Sequence, residues 1–295
     1  MTQKFEKEGH VIYHGDALEV LKAEIASESI DLIFIDPPYN IGKKFAGFHD
    51  KWTSDESYAE WAYQWIDECV RVLKSNGSLY IMTSTQAMPY FDLYLKNKLS
   101  ILSRIVWHYD SSGVQARNYY GSTYEPILYC VKDPKKYTFN TDDIAVEAKT
   151  GAKRKLIDYR KPTPTPYNTK KVPGNVWYIP RVRYRMGEYE NHPSQKPEAL
   201  LERIILASSN ENDIVLDPFS GAFTTAAVAK RLKRKSISIE SQEEYLKIGL
   251  RRVLEKNTHN GEELLAVEKT YRRKNGKCNK EEETAGGLFD AISKT

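Results

Sequence analysis

The sequence predicts an open α/β fold, and three observations carry that prediction. The run Ile30-Asp31-Leu32-Ile33-Phe34-Ile35 reads as a buried strand that stops at Asp36-Pro37-Pro38-Tyr39. Val215-Leu216-Asp217 leads through Pro218-Phe219-Ser220-Gly221 into a helix opening at Thr224, and Ser236-Ile237-Ser238-Ile239-Glu240 is the following strand. Between these anchors, apolar residues recur at helical spacing, as in Trp61, Trp65, Cys69, Val72 and Leu73. At 295 residues the chain suffices for one large α/β domain with inserted or terminal pieces, or for two modest domains.

The elements follow in order. Val11 to His14 is a short strand ending at Gly15-Asp16, and a helix starts at Ala17 with Leu18, Leu21 and Ile25 on one face. Asp16 stands where an N-cap belongs. Beyond the strand ending at Ile35 lies a loop, residues 40–52. Ser57 to Lys74 is a helix, with Asn76-Gly77 as its C-cap signal. Ser78 to Met82 is a strand, Pro89 to Lys98 a helix, and Ile101 to Tyr109 and Glu125 to Lys132 two strands flanking the loop Asp110 to Tyr124. A helix at Glu198 to Ala207, a strand at Asp213 to Asp217, a helix at Thr224 to Leu232, a strand at Ser236 to Glu240 and a helix at Gln242 to Leu254 complete the pattern. From 257 onward a helix trailing into a mobile tail is expected.

Composition narrows the classes. The net charge of +4 says little by itself, but its distribution is uneven. Between Lys149 and Arg185 lie eleven basic residues, among them Lys153, Arg154, Lys155, Arg181, Arg183 and Arg185, against the single acid Asp158. Prolines at 162, 164, 166, 173 and 180 keep this stretch irregular, and tyrosines interleave with the charges. If the segment is extended, Arg181, Arg183 and Arg185 share one side. An isolated charge run is ordinarily a solvated surface, so this one gains meaning only from its neighbours. The three cysteines are far apart and show no metal-ligand spacing, which argues against a disulfide-built domain and against a metal centre. The polar N-terminus lacks an apolar signal region, and no membrane-length run occurs, so a soluble cytoplasmic chain without membrane contact is expected.

Two stretches carry chemistry. In Asp36-Pro37-Pro38-Tyr39 the prolines remove two backbone donors and fix φ. They present a carboxylate, free carbonyls and an aromatic ring at a strand's carboxyl end, where open α/β sheets bind ligands. Such acceptors suit a flat heterocycle with an exocyclic amino group; the plainer reading is a rigid junction with Tyr39 packed for stability. In the second stretch the tight turn brings backbone N–H groups toward a ligand, and Glu240, nineteen positions after Gly221, is placed to accept ribose hydroxyls. With one glycine where three are expected, that signature is generic on its own.

Together these stretches resemble the amino-group DNA methyltransferases of the permuted order, in which the Asp-Pro-Pro-Tyr block precedes the cofactor block. Gly15-Asp16-Ala17-Leu18, the Asp31–Gly42 stretch, His192-Pro193-Ser194-Gln195-Lys196-Pro197, Asp217-Pro218-Phe219-Ser220-Gly221 and Ile239-Glu240 match in one order over residues 11–254. The resemblance implies a seven-stranded, mostly parallel Rossmann-like sheet with helices on both faces, plus an inserted DNA-recognition region. It implies S-adenosylmethionine as methyl donor, with Asp217, Phe219, Gly221 and Thr224 at its pocket, Glu240 on the ribose, Asp16 near the adenine amino group and Lys196 on the carboxylate. The second glycine usual in the family is Phe223 here: either the turn bends away from the cofactor, or Phe223 packs against it.

The implied chemistry is methyl transfer to adenine N6 of a base flipped out of duplex DNA. Asp36 and the Pro37 carbonyl accept the two amino hydrogens, with Pro38 stiffening the turn and Tyr39 stacking on the base. Residues 1–138 would form the catalytic half and 191–256 the cofactor half. Residues 139–190 would form the target-recognition region, with Lys43 a further DNA contact beside the catalytic turn. The protein would associate with the nucleoid through its double-stranded DNA, and a homodimer through the Trp61, Trp65 and Cys69 face stays open. A restriction partner is not legible. N4-cytosine methylation shares the architecture, but serine more often stands at the Asp36 position there. A non-catalytic DNA-binding module with a retained cofactor pocket is the rival of another class, and the intact Asp36-Pro37-Pro38-Tyr39 and Glu240 argue against it.

Overall fold

Each strand of the central sheet is short, apolar and bounded by turn chemistry. The structure, a computed structural model, describes residues 2–109, 117–148, 156–160 and 162–255. These lie in one unit, Met1–His259. Lys153, Arg154 and Lys155, most of the loop after Tyr109, and the helix and tail expected from 257 fall outside the described residues.

Nine strands form the sheet, numbered here along the chain: β1 (Gln3–Lys7), β2 (His10–His14), β3 (Ile30–Ile35), β4 (Leu73–Met82), β5 (Ser100–His108), β6 (Tyr124–Val131), β7 (Val176–Tyr178), β8 (Ile214–Asp217) and β9 (Lys235–Glu240). Their spatial order is β1-β2-β9-β8-β3-β4-β6-β5-β7. The pairs β2–β9, β9–β8, β8–β3 and β3–β4 are parallel, and β6 is antiparallel to both β4 and β5. The inner seven match the expected mixed sheet, and two edge strands add to it. β1 escapes sequence reading because its only apolar residue is Phe5, which packs on a small cluster around Ile12 and Phe223. β7 lies inside the basic stretch read as irregular and pairs parallel with β5.

Among the described residues six helices accompany the sheet: α1 (Ala17–Glu24), α2 (Asp55–Val72), α3 (Met88–Lys96), α4 (Glu198–Ser208), α5 (Thr224–Arg231) and α6 (Glu243–Gly249), the last continuing as a π-helical turn through Leu250–Glu255. Both faces of β3 and β4 are covered, as the apolar runs at residues 32–35 and 79–82 require. Ile33, Ile35, Leu79 and Ile81 join Leu21, Trp65, Cys69 and Phe91 in one core. On the opposite face Tyr80 is buried, and its hydroxyl lies 2.9 Å from Ser208 of α4. Trp65 and Cys69 are thus core residues, and the α2 face considered for a dimer is spent on packing.

α2 corrects one boundary. It begins after the capping box of Ser54 and Ser57 and ends at Val72, so Asn76-Gly77 lies inside β4 rather than capping a helix. A Cβ at Gly77 would stand 2.6 Å from Leu73 Cδ1 and 3.1 Å from the Asp31 carbonyl, so the glycine lets β4 lie close against the backbone of its parallel neighbour β3. No helix among the described residues is long and apolar enough to cross a membrane.

Candidate active site

The carboxyl end of β3 delivers Asp36, and the prolines after it leave carbonyls to be satisfied. The Tyr58 hydroxyl donates to the Pro38 carbonyl at 2.7 Å, and Ser84 Oγ to that of Tyr39 at 3.4 Å. Among the described residues no protein donor reaches the Pro37 carbonyl. Asp50, almost fully buried, accepts the Tyr39 and Lys43 backbone N–H groups and pins the loop that follows.

Asp36 itself is fully engaged. Tyr39 Oη donates to Oδ1 at 2.7 Å, and Lys196 Nζ lies 2.8 Å from Oδ2. Glu125, from the start of β6, stands 3.0 Å from Tyr39 Oη and 3.5 Å from Lys196 Nζ. Lys196 also lies over the Tyr39 ring, 5.1 Å from its centroid. Burial pushes the Asp36 carboxyl above its usual range, and Lys196 offsets part of this. Burial opposes the Lys196 ammonium, but Asp36 and Glu125 outweigh it and keep the group charged. Burial and the two carboxylates drive the Tyr39 hydroxyl well above its usual pKa, so it remains a donor.

The second anchor forms on the neighbouring strands. Asp217 ends β8; its Oδ1 accepts from Phe219 N at 3.0 Å and its Oδ2 from Thr225 Oγ1 at 2.5 Å. Glu240 ends β9; Oε2 accepts from Gly221 N at 2.8 Å and Oε1 from Gln242 N at 2.8 Å. Asp16 caps α1, accepting from Leu18 N and Glu19 N, and still lines the cavity. Gly221 has φ +48°, and a Cβ there would meet the His192 ring at 2.8 Å. Phe223 resolves the choice left by the missing glycine. It adopts left-handed φ 57° and is fully buried, its ring turned into the packing around Ile12, Ala226, Leu246 and Val253.

Burial pushes the Asp217 carboxyl up to about 7, against the donors Thr225 and Phe219 N. A carboxyl that titrates higher folded than unfolded stabilises fully below its unfolded value of about 3.9. That contribution is lost as pH rises through about 7. The melting temperature of Asp217→Asn minus that of the native protein should therefore increase between pH 5 and pH 8. A constant difference would refute this.

A single cavity of about 520 Å³ joins the two anchors. Its wall includes Asp36, Pro37, Pro38, Tyr39, Lys43, Arg181 and Lys196, and also Asp16, Asp217, Phe219, Gly221, Thr224 and Glu240. Lys43 turns inward, donating to the Pro193 carbonyl at 2.7 Å. Arg181 lies over the Tyr109 ring at 5.0 Å. Arg183 and Arg185 do not line the cavity. The segment turns there, with Met186 N bonded to the Arg183 carbonyl and Arg185 at φ 73°, so the three arginines do not share the side of an extended strand. Lys196, expected on a cofactor carboxylate, is here paired with Asp36.

Sequence reading passed over Glu125, Asp50 and Tyr58. Glu125 carried one signal, a lone acid followed by proline at the head of an apolar strand. His192, which opens the matched block ending at Pro197, packs its ring 4.4 Å from Tyr245 and 6.0 Å from Phe45, and burial, with Lys196 and Lys43, pushes its pKa down to about 3. It stays neutral at working pH.

A doubly covered, mostly parallel sheet with acidic strand ends around one cavity defines a Rossmann-like transferase. The chain belongs to the DNA methylase family, whose N6/N4 methyltransferase model matches residues 30–251. It is 58% identical over 291 residues to DNA adenine methyltransferase YhdJ of Escherichia coli (strain K12), covering 99% of this chain and 97% of that protein. It is 39% identical over 241 residues to the type II methyltransferase M.HpaI of Haemophilus parainfluenzae, covering 81% and 72%. Among solved structures, the M1.HpyAVI–SAM complex superposes with TM-score 0.54 at 28% identity, over 82% of this chain and 97% of that one. The cytosine-N4-specific PvuII DNA methyltransferase superposes with TM-score 0.63 at 19% identity, over 90% and 93%, and shows the shared fold.

Proposed function

We propose that this protein is a DNA methyltransferase that moves a methyl group from S-adenosylmethionine to adenine N6 of a flipped-out base. The observation that carries the reading is the one cavity in which the Asp36-Pro37-Pro38-Tyr39 turn faces the Asp217 and Glu240 strand ends. Its volume suits a cofactor together with a base edge. The donor set fits the cofactor: the Glu240 carboxylate, anchored by two backbone N–H groups, sits where ribose hydroxyls need an acceptor, and Phe219 supplies an apolar wall. S-adenosylmethionine supplies the activated methyl group when bound.

The protein's part is positioning and charge. An adenine amino nitrogen is a poor nucleophile because its lone pair is delocalised into the ring. Asp36 Oδ1 and the Pro37 carbonyl together accept both amino hydrogens, which turns the lone pair out of the ring plane and toward the methyl donor. Tyr39 and the cavity wall receive the base, offsetting part of the few kcal/mol that flipping costs. Aspartate at position 36 and the 58% identical adenine methyltransferase both favour adenine over cytosine.

Residues 139–190 form the target-recognition region in this reading. Arg181 stands nearest the base, while Arg183, Arg185 and the 153–155 cluster meet phosphates. A homodimer is compatible with it through a surface other than the Trp61–Cys69 face. Incubation with labelled S-adenosylmethionine and unmethylated DNA, followed by nucleoside analysis, is expected to yield N6-methyladenine. N4-methylcytosine as the product would overturn the assignment.

A further inference from the structure

Each Asp36 oxygen already has a donor, so an incoming amino hydrogen competes with the Tyr39 hydroxyl for the lone pairs of Oδ1. Oδ2 is held by Lys196, and Oδ1 receives the single proton of the Tyr39 hydroxyl. That hydroxyl has two acceptors in reach, Asp36 Oδ1 at 2.7 Å and Glu125 Oε2 at 3.0 Å, and one proton can serve only one of them. Lys196, with three hydrogens, spans the same two carboxylates.

We propose that Glu125 is a positioning residue that takes the Tyr39 hydroxyl proton as a hydrogen bond when the target base arrives, so that Asp36 Oδ1 is freed for the amino group. The step transfers no proton: the phenol O–H bond rotates from one carboxylate to the other and remains intact. Heavy atoms need little displacement, because Tyr39 Oη already sits between the two oxygens. Lys196 keeps its ion pair with Oδ2 and balances the charge throughout. Tyr109 also faces Glu125, and Arg181 lies across the Tyr109 ring, so the receiving carboxylate is braced on its outer side.

Neutral glutamine at position 125 is a weaker acceptor, which leaves the phenol on Asp36 and in competition with the base. The proposal rests on Asp36 as the amino-group acceptor, so Asp36→Ala is measured alongside. In single-turnover methylation of unmethylated chromosomal DNA with labelled S-adenosylmethionine, Glu125→Gln is expected to lower the rate about ten- to a hundredfold. Cofactor affinity and melting temperature should stay at native values. A second substitution, Tyr39→Phe, keeps the ring and deletes the competing proton, and in the Glu125→Gln background it should restore part of the rate. A purely structural role for Glu125 would not produce that rescue.

A native rate for Glu125→Gln, or a further loss on adding Tyr39→Phe, overturns the proposal. If Glu125→Gln fails to fold, Glu125→Met, which also removes the carboxylate acceptor, is put through the same pair of measurements, and a native rate or a failed rescue again overturns it. An inactive Asp36→Ala beside a fully active Glu125→Gln sinks the Glu125 role alone. An Asp36→Ala variant that still methylates sinks the reading of the site beneath it.

Discussion

Asp36→Ala should lower single-turnover methylation by about 10³-fold, the scale of removing one preorganised polar group aimed at the reacting centre. Cofactor affinity should be retained, because Glu240 is anchored by the Gly221 and Gln242 backbone N–H groups and not by Asp36. Removing one partner of a buried ion pair ordinarily strands a charge at a cost of about 3–5 kcal/mol. Here Lys196 keeps Glu125 at 3.5 Å, so stability should fall by much less. Calorimetric titration with S-adenosylmethionine, thermal melts and rapid-quench methylation on one preparation separate the three effects. A parallel loss of binding and rate would mean that Asp36 organises the whole cavity rather than the amino group.

Phe223→Gly should destabilise the protein even though it restores the glycine common in the family's cofactor turn. Emptying the space of a buried phenylalanine costs about 3–5 kcal/mol, and relief of left-handed backbone strain returns roughly 1 kcal/mol. The balance is a loss of about 2–4 kcal/mol, or about 5–15 °C in melting temperature. Cofactor affinity should change little, since the ring faces Ile12, Leu246 and Val253. Gly249 is the partner in this packing: a Cβ there would stand 2.5 Å from the Phe223 ring. Gly249→Ala should therefore be harmful in the native protein and harmless beside Phe223→Gly. Equal costs in both backgrounds would disprove the pairing.

The strands that line the cavity were readable because apolar runs ending in a lone acid, twice followed by proline, have few other uses. β3, β8 and β9 and their terminal acids Asp36, Asp217 and Glu240 fell where the pattern placed them. The edges were not readable. β1 carries one apolar residue, and β7 hides among prolines and arginines, so each is recruited by a neighbour rather than by its own periodicity. Glu125 was nearly silent for a related reason, its one local mark being a lone acid before Pro126. Its importance comes from a partner 86 positions away in sequence, and no local spacing encodes that. Gly77 misled because the same residue type that ends helices also permits the backbone of a paired strand to approach closely.

The edge strand β7 bears on the recognition region proposed for residues 139–190. The stretch that leaves β6 for the basic segment returns to the sheet at Val176–Tyr178, beside β5. It is then stitched by the Trp107 indole on the Ile179 carbonyl and by the Asn175 side chain on the Arg104 carbonyl. A chimera that exchanges residues 139–190 as a cassette would tear out this strand and expose the β5 edge. Grafts ending before Gly174 leave the seam intact, so sequence preference should be transplantable only in the part of the insert that precedes its return to the sheet.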